Sequence, residues 1–344
     1  MKMKVAVYYN NHDVRIEERE VPAIGAGELL LRVESSGLCG SDVMEWYRAA
    51  KAPLVLGHEL TGVVESVGEA VTKYEAGDRV YVTHHVPCNT CRSCLMGQHS
   101  VCTTLRSTNL DPGGFAQYAR VPAINVDRGM ALLPDHVSFD EGSFVEPLAC
   151  VVRGQRLADI RSGLDVLVIG AGLSGLLHIQ LARVRGAARV AAVDVAPARL
   201  EAAARFGADA VFEASDDDLP GKLRDLFGGH LADRVTVCAG VPSAYAQAWQ
   251  CVEPGGTVLI FAPPHPEAEV PFPMWDLWKN NVSLVPTYAG PPIDTEEALA
   301  LIGAKKLDLE GMITHRLPMD ETAEGFRLAA EATDCLKVVI HPQC

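Results

Sequence analysis

The sequence predicts an α/β protein that combines a strand-rich part with a doubly wound part. Residues 1–150 contain short strand-like runs separated by glycine and proline, such as ELLLRVESS, TGVVESVG and DRVYVTHHV. From residue 151 to about 288, apolar strands alternate with helical segments, a pattern typical of a parallel sheet covered by helices. With 344 residues, 48% of them hydrophobic, the chain can bury cores for two domains.

The doubly wound part alternates regularly along the chain. A buried strand is expected at Val166 to Ile169, followed by a helix and by the strand VAAVD. Further on we expect the helix ARLEAAARFGA, the strand DAVFEA, an acidic surface loop SDDD at 215–218, and the strands DRVTVCAG and GGTVLIFA with the helix SAYAQAWQCV between them. Residues 1–150 are expected to form a compact, largely β, barrel-like unit.

Charge and composition exclude several classes of partner. The net charge is −14 and no basic block is present, which argues against a nucleic-acid partner. The start, MKMKVAVYYNNHDVRIEE, lacks the apolar segment of a signal peptide, and no run of about 18 apolar residues predicts a membrane span. We therefore expect a cytoplasmic protein whose ten cysteines are ligands, catalytic groups or buried hydrophobes rather than disulfides.

Four cysteines lie close together in VPCNTCRSCLMGQHSVC. Cys88, Cys91, Cys94 and Cys102 have the spacing C-x2-C-x2-C-x7-C, which is typical of tetrahedral zinc. A redox C-x-x-C pair would leave two cysteines unexplained, and a disulfide knot is the weakest alternative. An iron–sulfur cluster shares the first part of this spacing, but the ferredoxin run continues with x3-C-P. Four cysteine ligands leave no open position, so this zinc is expected to be structural.

A second candidate metal site lies in GLCGSD and GHELTG. Cys39, His58 and Glu59 offer sulfur, nitrogen and oxygen ligands and would leave one coordination position for a substrate oxygen or water. Taken singly, the cysteine also fits a small buried hydrophobe and the His-Glu pair a solvated turn. The residues alone leave both interpretations open.

The segment after the first strand of the doubly wound part carries a dinucleotide fingerprint. Gly170, Gly172 and Gly175 form G-x-G-x-x-G between a strand and a helix. These glycines allow a tight turn, a close approach of the pyrophosphate, and close packing of helix and strand. The helix N-terminus at Leu173 and Ser174 is expected to face the phosphates.

An acidic residue ends the second strand of this fingerprint. Asp194 is placed to accept the ribose hydroxyls and to repel a 2′-phosphate, which favours NAD over NADP. Arg199 follows closely and would hold such a phosphate if it faced the cofactor. The alternative is that Arg199 is a solvated helix residue.

Several motifs occur in an order that resembles the zinc-dependent medium-chain dehydrogenase/reductase family. They are GLCGSD, LGHELTGVVESVGEAV, GDRVYV, the four-cysteine lobe, GGFAQYARVP, VEPLA, VLVIGAGLSGLL and DCLKVVIHP. The polyol branch, with the sorbitol and threonine dehydrogenases, is the most similar. The resemblance implies a GroES-like catalytic domain over 1–150 with its zinc lobe at about 86–103, a Rossmann NAD-binding domain over 151–288, a return of 289–344 to the catalytic domain, and a cleft at the junction.

The resemblance also implies a catalytic zinc, so that each chain holds two zinc ions. Cys39 and His58 match two of its ligands, and Glu59 and Glu146 match the carboxylates that the polyol branch uses. Which acid ligates directly is open; the preferred set is Cys39, His58 and Glu146 with Glu59 nearby. The expected reaction passes a hydride between NAD and a secondary alcohol, such as a polyol, sugar, cyclitol or amino alcohol.

One position departs from the family pattern. Ser41 matches the hydroxyl that begins the family's proton relay, but relatives carry CGSDxH where this chain has Met44. Methionine has no proton to pass on, so the relay must end in the ribose, in water or in another base.

Substrate contacts and assembly are predicted from weaker signals. His84 matches a position that lines the substrate pocket in related enzymes, although strand capping would also explain it. Trp46 and Tyr47 would form an aromatic wall or would serve only packing. Further polar contacts are expected from Arg106, Asn109 and Tyr288. A homodimer or homotetramer is expected, with the region from GGTVLIF to VSLVPTY and its insert APPHPEAEVPFPMW at the interface. Trp275 and Trp278 would be buried between subunits or only in the insert's own core.

Other activities remain alternatives at this point. A dehydrogenase of simple secondary alcohols, or a reductase of aldehydes or ketones, would use the same residues. An inactive NAD-binding protein is a more distant alternative, because all of the expected catalytic residues are present.

Overall fold

The computed structural model describes residues 1–332 and 335–344. Thr333 and Asp334, the latter at the start of the DCLKVVIHP motif, lie outside the described residues. The chain forms two compact units, one of Met1–Ala149 with Ala289–Cys344 and one of Cys150–Tyr288. Within the described ranges, no helix is both long and apolar enough to cross a bilayer.

The elements follow one another from the first residues to the last. The strands are β1 (Lys2–Asn10), β2 (Asp13–Glu20), β3 (Leu29–Gly37), β4 (Leu54–Val55), β5 (Glu59–Val67), β6 (Arg79–Thr83), β7 (Tyr118–Val121), β8 (Met130–Leu132), β9 (Asp165–Ile169), β10 (Arg189–Asp194), β11 (Ala210–Glu213), β12 (Ala232–Val237), β13 (Val252–Ile260), β14 (Ser283–Pro286), β15 (Ile313–Pro318) and β16 (Lys337–His341). The helices are α1 (Glu45–Arg48), α2 (Arg92–Leu95), α3 (Thr103–Ser107), α4 (Ala123–Arg128), α5 (Phe139–Gly142), α6 (Val145–Leu157), α7 (Leu173–Val184), α8 (Pro197–Arg205), α9 (Leu219–Phe227), α10 (Pro242–Cys251), α11 (Met274–Lys279), α12 (Pro292–Gly303) and α13 (Thr322–Glu331).

The unit Cys150–Tyr288 is built on one parallel sheet. Its strand order is β11-β10-β9-β12-β13-β14, and every pair of neighbours is parallel. All five residues of β9 are buried, as its apolar run predicts. The SDDD stretch leads into a helix as expected, with the Asp218 carboxylate accepting a hydrogen bond from the backbone of Gly221 to cap α9. The doubly wound part of the prediction is confirmed.

The other unit is mostly antiparallel sheet. One sheet has the order β15-β16-β3-β5-β6-β8, with β7 also paired to β3, and a smaller sheet has the order β2-β1-β4. Alternate residues of β3, β5 and β6 fill a core that includes Leu29, Leu31, Leu60, Val80 and Val82. This agrees with the predicted β-rich first part.

Strand register in this unit brings distant parts of the sequence to one edge. Gly37 at the end of β3 pairs with Glu59 at the start of β5, and Glu59 pairs with Thr83 at the end of β6. Val339 of β16 pairs with Gly37 on its other side. The residues that follow β3 and β6 and those that begin β5 and β16 therefore meet at one place.

Candidate active site and metal centres

The Cys39 group lies at this edge. One ligand atom each from Cys39, His58 and Glu59 lies within 4.8 Å of the other two. His58 is 9% exposed and Glu59 is fully buried. Among the described residues, the Glu59 Oε1 atom has no hydrogen-bond partner. A buried carboxylate oxygen without a partner is costly, so a thiol, an imidazole and this oxygen together fit a zinc ion.

Negative charge concentrates around His58. Its Nδ1 atom lies 3.4 Å from the Oδ1 atom of the buried Asp42. Burial alone would lower the pKa of His58, but Asp42 and the Cys39 thiolate outweigh burial and raise it well above its ordinary value. The same charges that favour a proton here favour a metal cation, and Asp42 orients the imidazole as a ligand.

Glu59 is also paired with a lysine. The ammonium group of Lys337 donates a hydrogen bond to Glu59 Oε2, and both side chains are fully buried. A Cβ at Gly37 would collide with Glu59 Oε2 and with the ammonium group of Lys337, so the glycine leaves room for this pair. Lys337 holds Oε2 of Glu59, which leaves Oε1 without a hydrogen-bond partner among the described residues.

Ser41 is held by an arginine rather than by a histidine. Arg48 donates hydrogen bonds to the Ser41 carbonyl oxygen at 2.9 Å and to Ser41 Oγ at 3.0 Å. Its Nη2 atom also lies 3.3 Å from Asp42 Oδ1. Met44 is the residue before α1. An arginine does not release its proton at neutral pH, so it orients the serine hydroxyl without relaying a proton.

Glu146 groups with the histidine pair. Ligand atoms of His84, His85 and Glu146 lie within 4.8 Å of one another. The two imidazole centroids are 3.6 Å apart, and the His84 ring lies 4.8 Å from that of His58. Among the described residues, Glu59 thus groups with Cys39 and His58, and Glu146 groups with the histidine pair.

The four cysteines of the lobe converge. The Sγ–Sγ distances are 3.5 Å for Cys91–Cys94, 3.6 Å for Cys88–Cys102 and 3.9 Å for Cys88–Cys94. Four sulfurs about 2.3 Å from a tetrahedral zinc lie about 3.8 Å apart, so the geometry fits one ion.

The thiols of the lobe differ in acidity. Hydrogen bonds from Thr90 lower the pKa of Cys88 to about 5, whereas burial and the neighbouring thiols raise the pKa of Cys94 to about 12. Four adjacent thiolates repel one another, so full ionisation requires a bound cation.

The glycine-rich loop has the geometry that its sequence predicts. Gly170 adopts a φ of 94°, and a Cβ at Gly175 would overlap the Gly170 carbonyl oxygen. At Gly172 a Cβ would meet open space, which leaves room for a phosphate. Leu173 and Ser174 form the first turn of α7. The loop therefore fits a dinucleotide at the start of this helix.

Asp194 ends β10 beside this loop. Its carboxylate accepts hydrogen bonds from the backbone of Ala171 at 2.7 Å and of Ala196 at 2.9 Å. Arg199 in α8 lies 3.9 Å from the same carboxylate. The charge of Arg199 is thus partly balanced by Asp194, which disfavours its use as a phosphate ligand.

The candidate substrate contacts lie at different places. Trp46 and Tyr47 are in α1, about two-fifths exposed, with their rings 5.9 Å apart. Arg106 donates a hydrogen bond of 3.0 Å to the Ser100 carbonyl oxygen. Asn109 is exposed in the segment after α3. Tyr288 is the last residue of the other unit and is half exposed.

Known proteins resemble this chain over nearly its whole length. Residues 25–131 match the alcohol dehydrogenase GroES-like domain, and residues 175–304 match the zinc-binding dehydrogenase domain. An L-threonine 3-dehydrogenase from Bacillus velezensis is 32% identical over 99% of both chains, and a sorbitol dehydrogenase from Bombyx mori is 31% identical over 98% of both. The chain belongs to the zinc-dependent medium-chain dehydrogenase/reductase family.

A solved structure extends this result. A zinc-binding dehydrogenase from Sinorhizobium meliloti 1021, in complex with NADP, is 26% identical, with a TM-score of 0.89 over 99% of this chain and 100% of that one. The protein described here belongs to the polyol branch of the family. It acts on a small-molecule alcohol, with zinc and NAD as cofactors. The predicted family, fold class and cofactors are confirmed.

Besides Arg48, three residues of the dehydrogenase's site were missed by sequence reasoning. Asp42 lies in the quoted GLCGSD motif, and its proximity to Cys39 was the available signal. Lys337 is a charged residue inside the apolar strand LKVVI, which marks a buried partner. His85 stands beside His84, and the pair itself was the signal.

Proposed function

We propose that the enzyme oxidises a secondary hydroxyl of a polyol, sugar, cyclitol or amino alcohol to the ketone. The catalytic domain is formed by residues 1–149 and 289–344, and residues 150–288 bind NAD. The main support for this proposal is the group of Cys39, His58 and Glu59. Among the described residues, the buried Oε1 atom of Glu59 has no hydrogen-bond partner. The names of the sorbitol and threonine dehydrogenases that the chain resembles support this substrate class.

Each residue of the site has its own role in the proposed reaction. Cys39, His58 and Glu59 would hold the catalytic zinc, which polarises the substrate oxygen when bound. Asp42 orients His58, and Lys337 orients Glu59. The loop of Gly170, Gly172, Leu173, Ser174 and Gly175 would bind the pyrophosphate of NAD, which would supply the hydride acceptor.

The proton leaves through Ser41. Its hydroxyl takes the proton of the substrate hydroxyl as it gives up its own, while Arg48 holds Oγ in place. Because Met44 has no proton to pass on, the next acceptor is water or a cofactor hydroxyl.

Polar groups beside the metal favour a hydroxylated substrate. His84 and His85 offer imidazole nitrogens next to the ring of His58, where an apolar pocket would select a simple alcohol. Trp46 in α1 is exposed enough to cover a sugar face. Asp194 favours NAD over NADP, because its carboxylate repels a 2′-phosphate.

The experiment is NAD⁺ reduction followed at 340 nm. A panel of hexitols, cyclitols, aldoses, threonine and simple secondary alcohols is run with NAD⁺ and with NADP⁺, before and after chelation. We expect turnover on a polyhydroxylated member, selective for NAD⁺ and lost with the metal. Cys39→Ser should abolish it, whereas Cys344→Ser, an exposed cysteine outside both metal groups, should not. Turnover on simple alcohols alone would contradict the proposed substrate class.

We also propose that the enzyme is a cytoplasmic homodimer or homotetramer. Among the described residues, no disulfide joins the ten cysteines, as expected in a reducing compartment. Phe272, Met274, Trp275 and Trp278 are all between 46% and 70% exposed near the edge strand β14. Such an apolar patch supports subunit contact there. Light scattering after gel filtration tests this, and a monomer would contradict it.

A further inference from the structure

A cluster of hydrogen-bond donors adjoins Ser41. It consists of Tyr47 and Arg48 of α1 and of Lys51, three residues after that helix. The guanidinium carbon of Arg48 lies 4.8 Å from the centre of the Tyr47 ring, and the ammonium group of Lys51 lies 4.0 Å from it. The reaction as proposed uses Arg48 to hold Ser41 but gives no role to Lys51 or to the Tyr47 hydroxyl.

Arg48 anchors this cluster beside the candidate zinc ligands. Its Nε atom donates to the carbonyl oxygen of Ser41, and its Nη2 atom donates to Ser41 Oγ and to Asp42 Oδ1. The backbone N–H of Ser41 in turn donates to Cys39 Sγ at 3.4 Å. The Arg48 side chain is only 15% exposed, so these bonds hold its guanidinium in one orientation. The cluster therefore begins one hydrogen bond away from the hydroxyl that takes the substrate proton.

Several donors of the cluster have no acceptor. The Nη1 atom of Arg48 takes part in none of the bonds above. Among the described residues, the Tyr47 hydroxyl has no hydrogen-bond partner and the Lys51 ammonium forms no ion pair. Glu45, the acidic residue of α1, pairs with neither cation in the part of the chain that the structure describes. Asp42 balances the charge of Arg48, and the charge of Lys51 is left to attract an anion.

We propose that Tyr47, Arg48 and Lys51 bind a phosphate group of the substrate, so that the enzyme oxidises a phosphorylated polyol or sugar. This inference rests on the proposed oxidation of a secondary hydroxyl and narrows its substrate class. A phosphate monoester carries a charge of about −1.5 to −2 at pH 7 and presents three acceptor oxygens. A guanidinium, an ammonium and a phenol supply donors for these oxygens, and the planar guanidinium matches phosphate geometry.

The exposure of these residues indicates how such a substrate lies. Tyr47 and Lys51 are exposed, whereas Ser41 and Arg48 are half-buried. The reacting hydroxyl would therefore be at the inner end of the substrate, beside Ser41, and the phosphate at the outer end. A terminal phosphate ester has this arrangement, and its charged group stays partly in contact with water.

Paired substrates test the proposal. Initial rates with a hexitol and with its terminal phosphate ester are compared at saturating NAD⁺. We expect the parent enzyme to prefer the phosphate ester at least about tenfold in kcat/KM. Lys51→Met should reduce this preference about fivefold, through KM rather than kcat, because Lys51 does not touch the reacting atoms. Lys51→Arg, which keeps the charge, should retain the preference.

A matched control uses another lysine. Lys306 is exposed and, within the described ranges, also forms no ion pair, so Lys306→Met should keep the preference of the parent enzyme. A parent enzyme that prefers the unphosphorylated hexitol would overturn the proposal. The same preference in Lys51→Met as in the parent would also overturn it. So would a higher KM for NAD⁺ in Lys51→Met, since the cluster would then bind the phosphates of the cofactor.

A binding measurement separates this proposal from the proposed function. Inorganic phosphate is titrated by calorimetry into the enzyme saturated with NAD⁺, so that the glycine-rich loop is already occupied. We expect one phosphate to bind per chain, about fivefold more weakly in Lys51→Met. Equal phosphate affinity in Lys51→Met and in the parent would refute the site. The expected phosphate binding without turnover of any hexitol would refute the proposed oxidation alone.

Discussion

Lys337 and Glu59 form a fully buried ion pair beside the candidate catalytic zinc ligands. The Lys337 ammonium also lies 3.4 Å from the carbonyl oxygen of Leu38, the residue before Cys39. One lysine therefore links the last strand of the sheet to both segments that carry the ligands. A buried carboxylate that lost this partner would be left with an uncompensated charge.

Replacement of this lysine should be strongly destabilising. We expect Lys337→Met to lower the free energy of unfolding by about 3–5 kcal/mol, because Glu59 would stay buried without its partner. Urea denaturation of the NAD-free enzyme measures the change. Lys305→Met is the matched control, since Lys305 pairs with Glu141 at 2.5 Å but is 48% exposed, and should cost less than about 1 kcal/mol. Equal losses of unfolding free energy in the two variants would show that the buried ion pair stabilises the fold no more than the exposed one does.

A methyl group at Gly37 should disturb the same pair. Gly37→Ala would place a Cβ against Glu59 Oε2 and the Lys337 ammonium, so we expect at least about a tenfold loss of kcat/KM, or 1.4 kcal/mol. Zinc content should fall with it. In Gly303→Ala, the new Cβ would meet only Pro134 at 3.6 Å, and both quantities should stay unchanged. A fully active, zinc-replete Gly37→Ala enzyme would refute the role of this glycine.

Loss of one lobe cysteine should release one metal ion. Cys94→Ser removes a ligand from a group whose sulfurs lie 3.5–3.9 Å apart, so we expect one zinc equivalent fewer and a lower melting temperature. Elemental analysis and differential scanning calorimetry measure the two effects. Cys344→Ser, outside the lobe, should change neither. Unchanged zinc content in Cys94→Ser would contradict a structural zinc.

Acid should weaken the fold through Asp140. Burial alone would raise the pKa of Asp140, but hydrogen bonds from His341, Ser35 and Arg316 outweigh burial and lower it. A depressed folded pKa gives stability that is present above the unfolded value of about 3.9 and is lost as pH falls through the folded value. The unfolding free energy should therefore decrease below about pH 4.

The test compares two aspartates. Asp140→Asn should cost on the order of 2 kcal/mol at pH 7 and should flatten the acid dependence, since the variant has no carboxylate to protonate. Asp217→Asn, in the exposed loop before α9, should leave the pH dependence of the unfolding free energy unchanged. Urea denaturation between pH 2 and pH 7 provides the curves. If the unfolding free energy of Asp140→Asn falls with pH as steeply as that of the parent enzyme, other groups cause the acid sensitivity.

Cofactor preference should shift when Asp194 is changed. Asp194→Ser removes the carboxylate that repels a 2′-phosphate and that lies 3.9 Å from Arg199, so the kcat/KM ratio of NADP to NAD should rise at least about tenfold. Adding Arg199→Gln should reverse the gain, because the arginine would supply the new phosphate contact. If Asp194→Ser keeps the parent enzyme's kcat/KM ratio of NADP to NAD, residues other than Asp194 set the cofactor preference.

Local patterns predicted the parts of the molecule that depend on local structure. The glycine-rich loop, the strands around it and the cysteine lobe are each encoded within a short stretch of chain, and each has the predicted geometry. Cys39, His58 and Glu59 were also identified, because their motifs carry the ligands in nearby positions.

The remaining contacts depend on strand register, which no short motif encodes. The pairing of Glu59 with Lys337 joins positions 278 residues apart. The grouping of Glu146 with the histidine pair depends on where β6 ends relative to α6. Arg48 was not predicted to hold Ser41, since an exposed-looking helix end gives no signal of a buried contact.

The split of the first unit between two chain segments has a consequence for biosynthesis. Residues 150–288 are complete on the ribosome before residues 289–344 are made, so this unit can fold while the other still lacks two strands of its sheet. Glu59 is synthesised long before Lys337. Until that lysine emerges, the nascent chain cannot bury the glutamate as an ion pair, so the candidate zinc site matures only when translation is nearly finished.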